Sequence, residues 1–191
     1  MKLIPTTLPG VVIAEPAVFG DDRGWFYESH NQARFDGALA TLGLPAPRPF
    51  VQDNHSCSQA GVLRGLHYQL PPHAQGKLVR VVRGSAYDVA VDIRQGSPTF
   101  GRWVGMELSA VNRRQMWVPE GFAHGFMALE DDTHFLYKTT DVYARDCERS
   151  IRWDDPVIGI AWPMPKGMEQ PLLASKDATA TLLAQADLPL G

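Results

Sequence analysis

The sequence predicts a mainly β domain, an antiparallel sandwich or barrel with short helices at its periphery. Two observations predict it. Short runs rich in β-branched and aromatic residues recur through the middle of the chain, divided by turn-forming clusters such as "DDRG", "SQAG", "PPHAQG", "QGSPTFG" and "EDD". One run, "AYDVAVDIR", alternates with a period of two: Tyr87, Val89, Val91 and Ile93 against Asp88, Ala90, Asp92 and Arg94. Many short strands at such spacing suit a sandwich or a closed barrel.

Taken in order, the expected strands are "WFYESH", "FVQDNHS", "VLRGLHYQ", "KLVRVVRG", "AYDVAVDIR", "RWVGMELS", "QMWVPEG", "HGFMALE" and "HFLYKTTDVY". A first helix is expected near 29–43, where Phe35, Leu39 and Leu42 can share a face. A second, "SKDATATLLAQAD", makes a helical tail over about 172–188. "LGLPAPRP" and "WPMPKGMEQP" read as loops. With no repeat and no composition break, residues 1–191 read as one domain with its core over about 3–165.

Bulk properties narrow the function. At 191 residues the chain can bury an ordinary single core, and 45% apolar with 20% charged residues is a normal globular balance. A net charge of -3 argues against nucleic acid as the main partner. Only Cys57 and Cys147 occur, with no CxxC pair, so a reducing compartment is expected. Pro5 and Pro9 interrupt the N-terminus before a signal peptide could form, and no apolar run is long enough to span a bilayer. A cytoplasmic protein without membrane partners is the expectation.

The run "VLRGLHYQ" (62–69) sets an arginine and a histidine three residues apart in a strand that should pack a core. Strict alternation puts Leu63, Gly65 and His67 on one face, Arg64 and Leu66 on the other. Arg64 and His67 can meet one pocket only if the strand bends, and Gly65 is where a bulge is tolerated. Without a bend, Arg64 faces solvent and His67 is a hydrogen-bonded core histidine. Metal sites in such strands want paired ligands. Gln69 stands where a second histidine would be, and His55, His73, His124 and His134 are scattered singly, so no metal is expected.

Three further runs hold polar groups. "WVPEGFAHGF" sets His124 between small residues that leave room for a ligand. In "FLYKTTDVY", Tyr137 shares a strand face with Phe135 and Thr139, where a tyrosine serves as core, interface or acid. In "QGKLVR", Lys77 opens a strand, as a solvated lysine or as a functional cation. No Gly-rich loop precedes a helix, so NAD and ATP are not expected. Arg23, Arg64, Arg149 and Arg152 remain as phosphate-binding forks.

The ordered set "DDRGWFYESHNQARF", "FVQDNHSCSQAGVLRGLHYQ", "QGKLVRVVRGSAYDVAVDIRQGSPTFGRWVGMELS", "WVPEGFAHGF" and "SIRWDDPVIGIAWP" closely resembles the dTDP-4-dehydrorhamnose 3,5-epimerase family, from about position 3 to about 185. The resemblance implies a cupin-like jelly roll that works without metal or organic cofactor, as a homodimer with a swapped N-terminal segment. It implies inversion of C3 and C5 of dTDP-4-keto-6-deoxyglucose, through an enolate reprotonated from the opposite face. By resemblance His67 is the base, Asp177 orients it, Tyr137 is the acid, and Lys77 faces the enolate oxygen. His124 and Asp88 match a second His–Asp pair lining the sugar pocket. Arg64 matches a diphosphate contact, Gln52, Asp53 and Asn54 a nucleotide-contact strand, and Tyr143 an aromatic stacked on thymine. Glu148 and Lys176 match further contacts, while Arg23 and Glu28 match residues supplied by the partner subunit. A single-carbon epimerase, a sugar ketoisomerase on another dTDP-4-keto-deoxyhexose and a non-catalytic cupin-like sugar-binding module are the competing expectations.

Overall fold

The structure, a computed structural model, describes residues 1–189. Residues 190 and 191 of the expected single domain lie outside the described residues. Among the described residues, thirteen strands and two α-helices follow in order: β1 (Lys2–Pro5), β2 (Val12–Glu15), β3 (Phe19–Asp21), β4 (Gly24–Phe26), α1 (Gln32–Thr41), β5 (Gln52–Ser58), β6 (Leu63–Gln69), β7 (Lys77–Arg83), β8 (Ser85–Asp92), β9 (Trp103–Ser109), β10 (Gln115–Val118), β11 (Phe122–Ala128), β12 (Thr133–Thr139), β13 (Glu148–Ser150) and α2 (Ser175–Ala178). Two antiparallel sheets hold most of them, with orders β1-β2-β10-β7-β12-β5 and β13-β6-β11-β8-β9, while β3 and β4 form a separate hairpin. Among the described residues no helix is long and apolar enough to cross a membrane.

The sheets face each other across a core built from alternate residues of their strands. Val79 and Val81 of β7, Met116 of β10 and Phe135 of β12 meet Ala86 and Ala90 of β8, Leu108 of β9 and Phe126 of β11. The other face of each sheet is covered too. Val89, Val91 and Ile93 pack beneath Ile151, Ile158 and Leu183 of the C-terminal segment. This explains the period in β8: its apolar set faces the C-terminal cover, and its opposite set carries Asp88 between the sheets.

Helix α1 starts where Asn31 accepts a hydrogen bond from the Arg34 backbone N–H at 3.2 Å, and it closes before Gly43, whose φ of +70° suits a left-handed cap. Phe35 and Leu39 lie fully buried against Val12, Leu78 and Trp117 on the outside of the six-stranded sheet. Each such side chain stabilises by about 1.5–3 kcal/mol, more than the short helix gains from propensity alone.

Three expectations are corrected. The C-terminal helix over about 172–188 shrinks to the single turn of α2 and a 3₁₀ turn at Leu183–Gln185. The segment instead lies along the sheet: Thr181 pairs with Ile151 in a parallel bridge, and β-branched Thr179 and Thr181 offer little to a helix. Leu183 of the 3₁₀ turn, with Ala186 and Leu188 after it, covers Ile151 and Ile158, so no continuous helical face is needed. The strand "WFYESH" ends at Phe26; beyond it the chain turns inward, Ser29 O accepting from Gln115 Nε2 at 2.7 Å. Strands β1, β2 and β13, unanticipated from the sequence, complete the sheets. β1 is an edge, where Pro5 costs no ladder hydrogen bond.

Candidate functional site

The bend foreseen at Gly65 is present. In the β6–β11 ladder His67 pairs with His124 and Arg64 with Phe126. Two residues, Gly65 and Leu66, thus oppose the single Gly125, which is a bulge in β6. The extra residue restores Arg64 and His67 to the same side. Only glycines permit it: Gly65 has φ of +146°, and a Cβ on it would stand 2.6 Å from the Gly125 Cα.

A cavity of about 320 Å³ opens between the sheets at this point. From the five-stranded sheet come Arg64, His67, His124 and Glu148; from the six-stranded sheet Asn54, Lys77 and Tyr137. Lys176 and Asp177 of α2 and Tyr143 of the segment after β12 close the rim. A smaller adjoining space of about 100 Å³ shares His67, Lys77 and Tyr137 and adds Gln52. A larger cleft, about 490 Å³, lies elsewhere between proline-rich segments. Its arginines are already occupied, Arg48 by Glu120 and Asp141, and Arg94 by Asp92. Polar groups with unspent capacity converge in the smaller cavity, which is the better site.

Two His–Asp pairs lie side by side there. His67 Nε2 is 2.6 Å from Asp177 Oδ1, and Asp177 is only 1% exposed. His124 Nε2 is 2.7 Å from Asp88 Oδ1. His124 sits opposite Ala90, so Asp88 is its diagonal neighbour on the same face, within reach of a long side chain. Among the described residues the second Asp88 oxygen is buried without a hydrogen-bond partner.

Burial sets the direction of titration of His67, Tyr137 and Lys77. It lowers the His67 imidazole, with the Asp177 hydrogen bond opposing, so the ring is neutral near pH 7. It raises the Tyr137 phenol, against the smaller pull of Lys176, so that hydroxyl keeps its proton. It depresses Lys77 to about 8 despite the nearby carboxylates of Asp88 and Glu148. Among the described residues the Lys77 ammonium has one hydrogen bond, to His67 O at 3.3 Å, which leaves donors for a ligand. Burial works to raise Glu148, but the Lys176 ammonium at 2.8 Å prevails and holds the carboxyl low. An unprotonated imidazole, a protonated phenol and an ammonium therefore face one space.

Other residues set its rim. Arg64 is held by Ser58, Nε donating to Oγ at 3.2 Å, and reaches the mouth of the cavity. Gln52 donates to Asn54 at 2.9 Å and accepts from the Tyr143 backbone N–H at 3.0 Å, so β5 positions the Tyr143 strap. Tyr143 donates in turn to Glu148 at 3.1 Å.

Several residues lie outside this chain's own cavity, Arg23 and Glu28 among them, which the resemblance assigns to the partner's site. Asp53 alternates to the opposite face of β5 from Gln52 and Asn54, where Lys138 binds it at 2.9 Å. Arg23 lies at the tip of the β3–β4 hairpin, 91% exposed and paired with Asp21. Glu28 accepts from Asn31 at 3.2 Å, outside the cavity. Arg149 and Arg152 turn outward to Asp187 and Asp154. Conversely Ser56, Phe126 and Phe135 line the cavity unanticipated, although the period of two from Asn54 leads to Ser56, and Phe135 shares the Tyr137 face. Phe126 and Phe135 stack at 3.9 Å and form its apolar floor. Among the described residues, the one converging trio of metal-ligating side chains, Cys57, Asp132 and His134, lies outside this cavity.

Comparison with known proteins agrees with this geometry. The family model described as dTDP-4-dehydrorhamnose 3,5-epimerase matches residues 5–185. A dTDP-4-dehydrorhamnose 3,5-epimerase from Shigella flexneri is 54% identical over 187 residues, covering 98% of each chain. The crystal structure of a dTDP-6-deoxy-D-glucose-3,5-epimerase from Legionella pneumophila Philadelphia 1, in complex with dTDP-4-keto-L-rhamnose, superposes with a TM-score of 0.91 at 50% identity, covering 100% of this chain and 98% of that one. A 3'-monoepimerase from Streptomyces bikiniensis bound to dTDP-quinovose reaches a TM-score of 0.86 at 36% identity, covering 100% and 93%.

Proposed function

The chain belongs to the dTDP-4-dehydrorhamnose 3,5-epimerase family, and on that premise we propose how its cavity works. It is a nucleotide-sugar isomerase of dTDP-rhamnose biosynthesis on a cupin-like jelly roll, converting dTDP-4-keto-6-deoxyglucose to dTDP-4-keto-L-rhamnose. The observation that carries the assignment of roles is the convergence of His67, Tyr137 and Lys77 on one space from two facing sheets.

C3 and C5 both flank the C4 ketone, so each carries a weakly acidic proton. Neutral His67 removes it, and Asp177 holds the ring and stabilises the imidazolium that forms. Lys77 faces the enolate oxygen; a preorganised donor there contributes on the order of 3 kcal/mol. Tyr137, on the opposite sheet from His67, returns a proton to the other face, and inversion follows. His124 and Asp88 hold the sugar beside His67. Arg64 takes the diphosphate, Gln52 and Asn54 the nucleoside, and Tyr143 stacks on thymine against Glu148 and Lys176. Asp53 acts through Lys138 and the strand rather than by contact.

Incubation with the keto-sugar in deuterium oxide tests this reading. Deuterium at both C3 and C5 is expected. Label at one carbon would make the chain a mono-epimerase, and label at neither a binding module. In the same assay Tyr137→Phe should slow inversion at least tenfold more than exchange, because proton removal does not need the phenol. Equal losses would place the acid elsewhere.

Arg23 and Glu28 imply a second subunit. The β3–β4 hairpin leaves Phe19, Trp25 and Phe26 66%, 59% and 70% exposed, an apolar surface suited to a partner. In a homodimer this swapped segment brings Arg23 and Glu28 over the neighbour's nucleotide. Sedimentation equilibrium should give twice the 21.1 kDa chain mass, and a monomer active at that mass would remove this role.

A further inference from the structure

Antiparallel pairing of β5 with β12 sets Cys57 directly opposite His134, on the face of the sheet turned away from the catalytic cavity. Asp132, in the turn before β12 with φ of 56°, adds its carboxylate to them. Asp132 Oδ1 accepts from Cys57 Sγ at 3.1 Å and lies 3.2 Å from His134 Nε2. The three ligand atoms lie within 4.8 Å of one another. The other nitrogen of His134, Nδ1, is 3.0 Å from His55 Nε2, and Arg83 pairs with Asp132 Oδ2 at 2.8 Å.

We propose that Cys57, Asp132 and His134 form a surface site for one zinc-class divalent ion per chain, tying the edge strand β5 to the β11–β12 turn. The chemistry of the donors selects the ion. A thiolate, an imidazole and a carboxylate make a borderline-soft set that suits Zn²⁺ and disfavours Mg²⁺ and Ca²⁺, which want oxygen ligands throughout. Three protein ligands leave a fourth tetrahedral position, and exposed Cys57 gives water access to it. Binding sends the thiol proton to solvent as the Sγ–metal bond forms, with no change of oxidation state. His134 then presents Nε2 to the ion and donates Nδ1–H to His55, which fixes the ring as metal-bound histidines usually require. Arg83 continues to hold the second carboxylate oxygen. The site would brace the strand that holds Arg64, since Ser58 and the Cys57 carbonyl both accept from that guanidinium.

The test is a titration of the tag-free, chelator-treated full chain with Co²⁺, followed by competition with Zn²⁺. A thiolate-to-cobalt charge-transfer band should saturate at one equivalent per chain, disappear on adding Zn²⁺, and be absent in Cys57→Ser. Cys147→Ser should leave it unchanged. His55→Gln should weaken binding by about 10–100-fold, the usual effect of losing an orienting partner, and His134→Gln and Asp132→Asn, which remove ligands, by at least as much. Circular dichroism and a thermal midpoint of metal-free Cys57→Ser that match those of the metal-free wild type report that the variant is folded. No band at large Co²⁺ excess, a band that survives Cys57→Ser, or affinity indifferent to both His134→Gln and Asp132→Asn would overturn the site.

Discussion

His67→Ala is expected to abolish solvent-hydrogen exchange at both C3 and C5, with turnover falling by about 10²–10⁴-fold, the usual contribution of a positioned base. Binding of dTDP should change little, because Arg64, Gln52 and Asn54 keep their own partners. The size of the effect follows from the surroundings. Asp177 is almost wholly buried and has its 2.6 Å contact with His67, so that carboxylate is committed to one imidazole. Burial keeps the ring neutral, ready to accept a proton. Turnover should therefore rise with pH through a value below about 6.5 and be level at neutrality. His124 stands directly across the ladder, so the variant also asks whether one base serves both carbons. Exchange that survives at one carbon would assign that carbon to His124, and full activity would remove His67 from the mechanism.

Much of this arrangement was legible because it depends on local rules. The glycine between Arg64 and His67 marked a bulge, and the ladder spends its extra residue there. The alternation of β8 placed Asp88 on one face with Ala90, although sequence could not say which face lay between the sheets. What stayed hidden depends on partners distant in the chain. The tail after Ser175 carries apolar residues at spacings compatible with a helix, yet the strip of sheet beneath it breaks it into short turns on either side of the Thr181 bridge. Asp53 reads as part of one contact run with Gln52 and Asn54, but a strand cannot point three consecutive side chains the same way. Histidines that look isolated in sequence become neighbours once β5 and β12 pair, as His55 and His134 do.

Lys77→Met should separate stability from activity. In the folded chain the Lys77 ammonium is lowered from an ordinary 10.5 to about 8, burial outweighing the attraction of Asp88 and Glu148. The folded state thus binds the proton less tightly than the unfolded state, and the sign of the linkage follows. Below about pH 8 the cost of burying the charge is present in full; it is relieved as pH rises from about 8 to about 10.5. At 1.36 kcal/mol per unit the cost is on the order of 3 kcal/mol, so an apolar side chain of similar length should make the fold more stable at pH 7. Turnover should move the other way, down by about 10²–10³-fold, as expected for a lost oxyanion donor. The same logic predicts that wild-type turnover declines above pH 8, where Lys77 deprotonates, while its contribution to folding improves. Denaturant midpoints and turnover measured across pH 6–10 would check both. A Lys77→Met variant that is less stable at pH 7, or that turns over normally, would mean the ammonium is held by structural contacts and does not face the enolate.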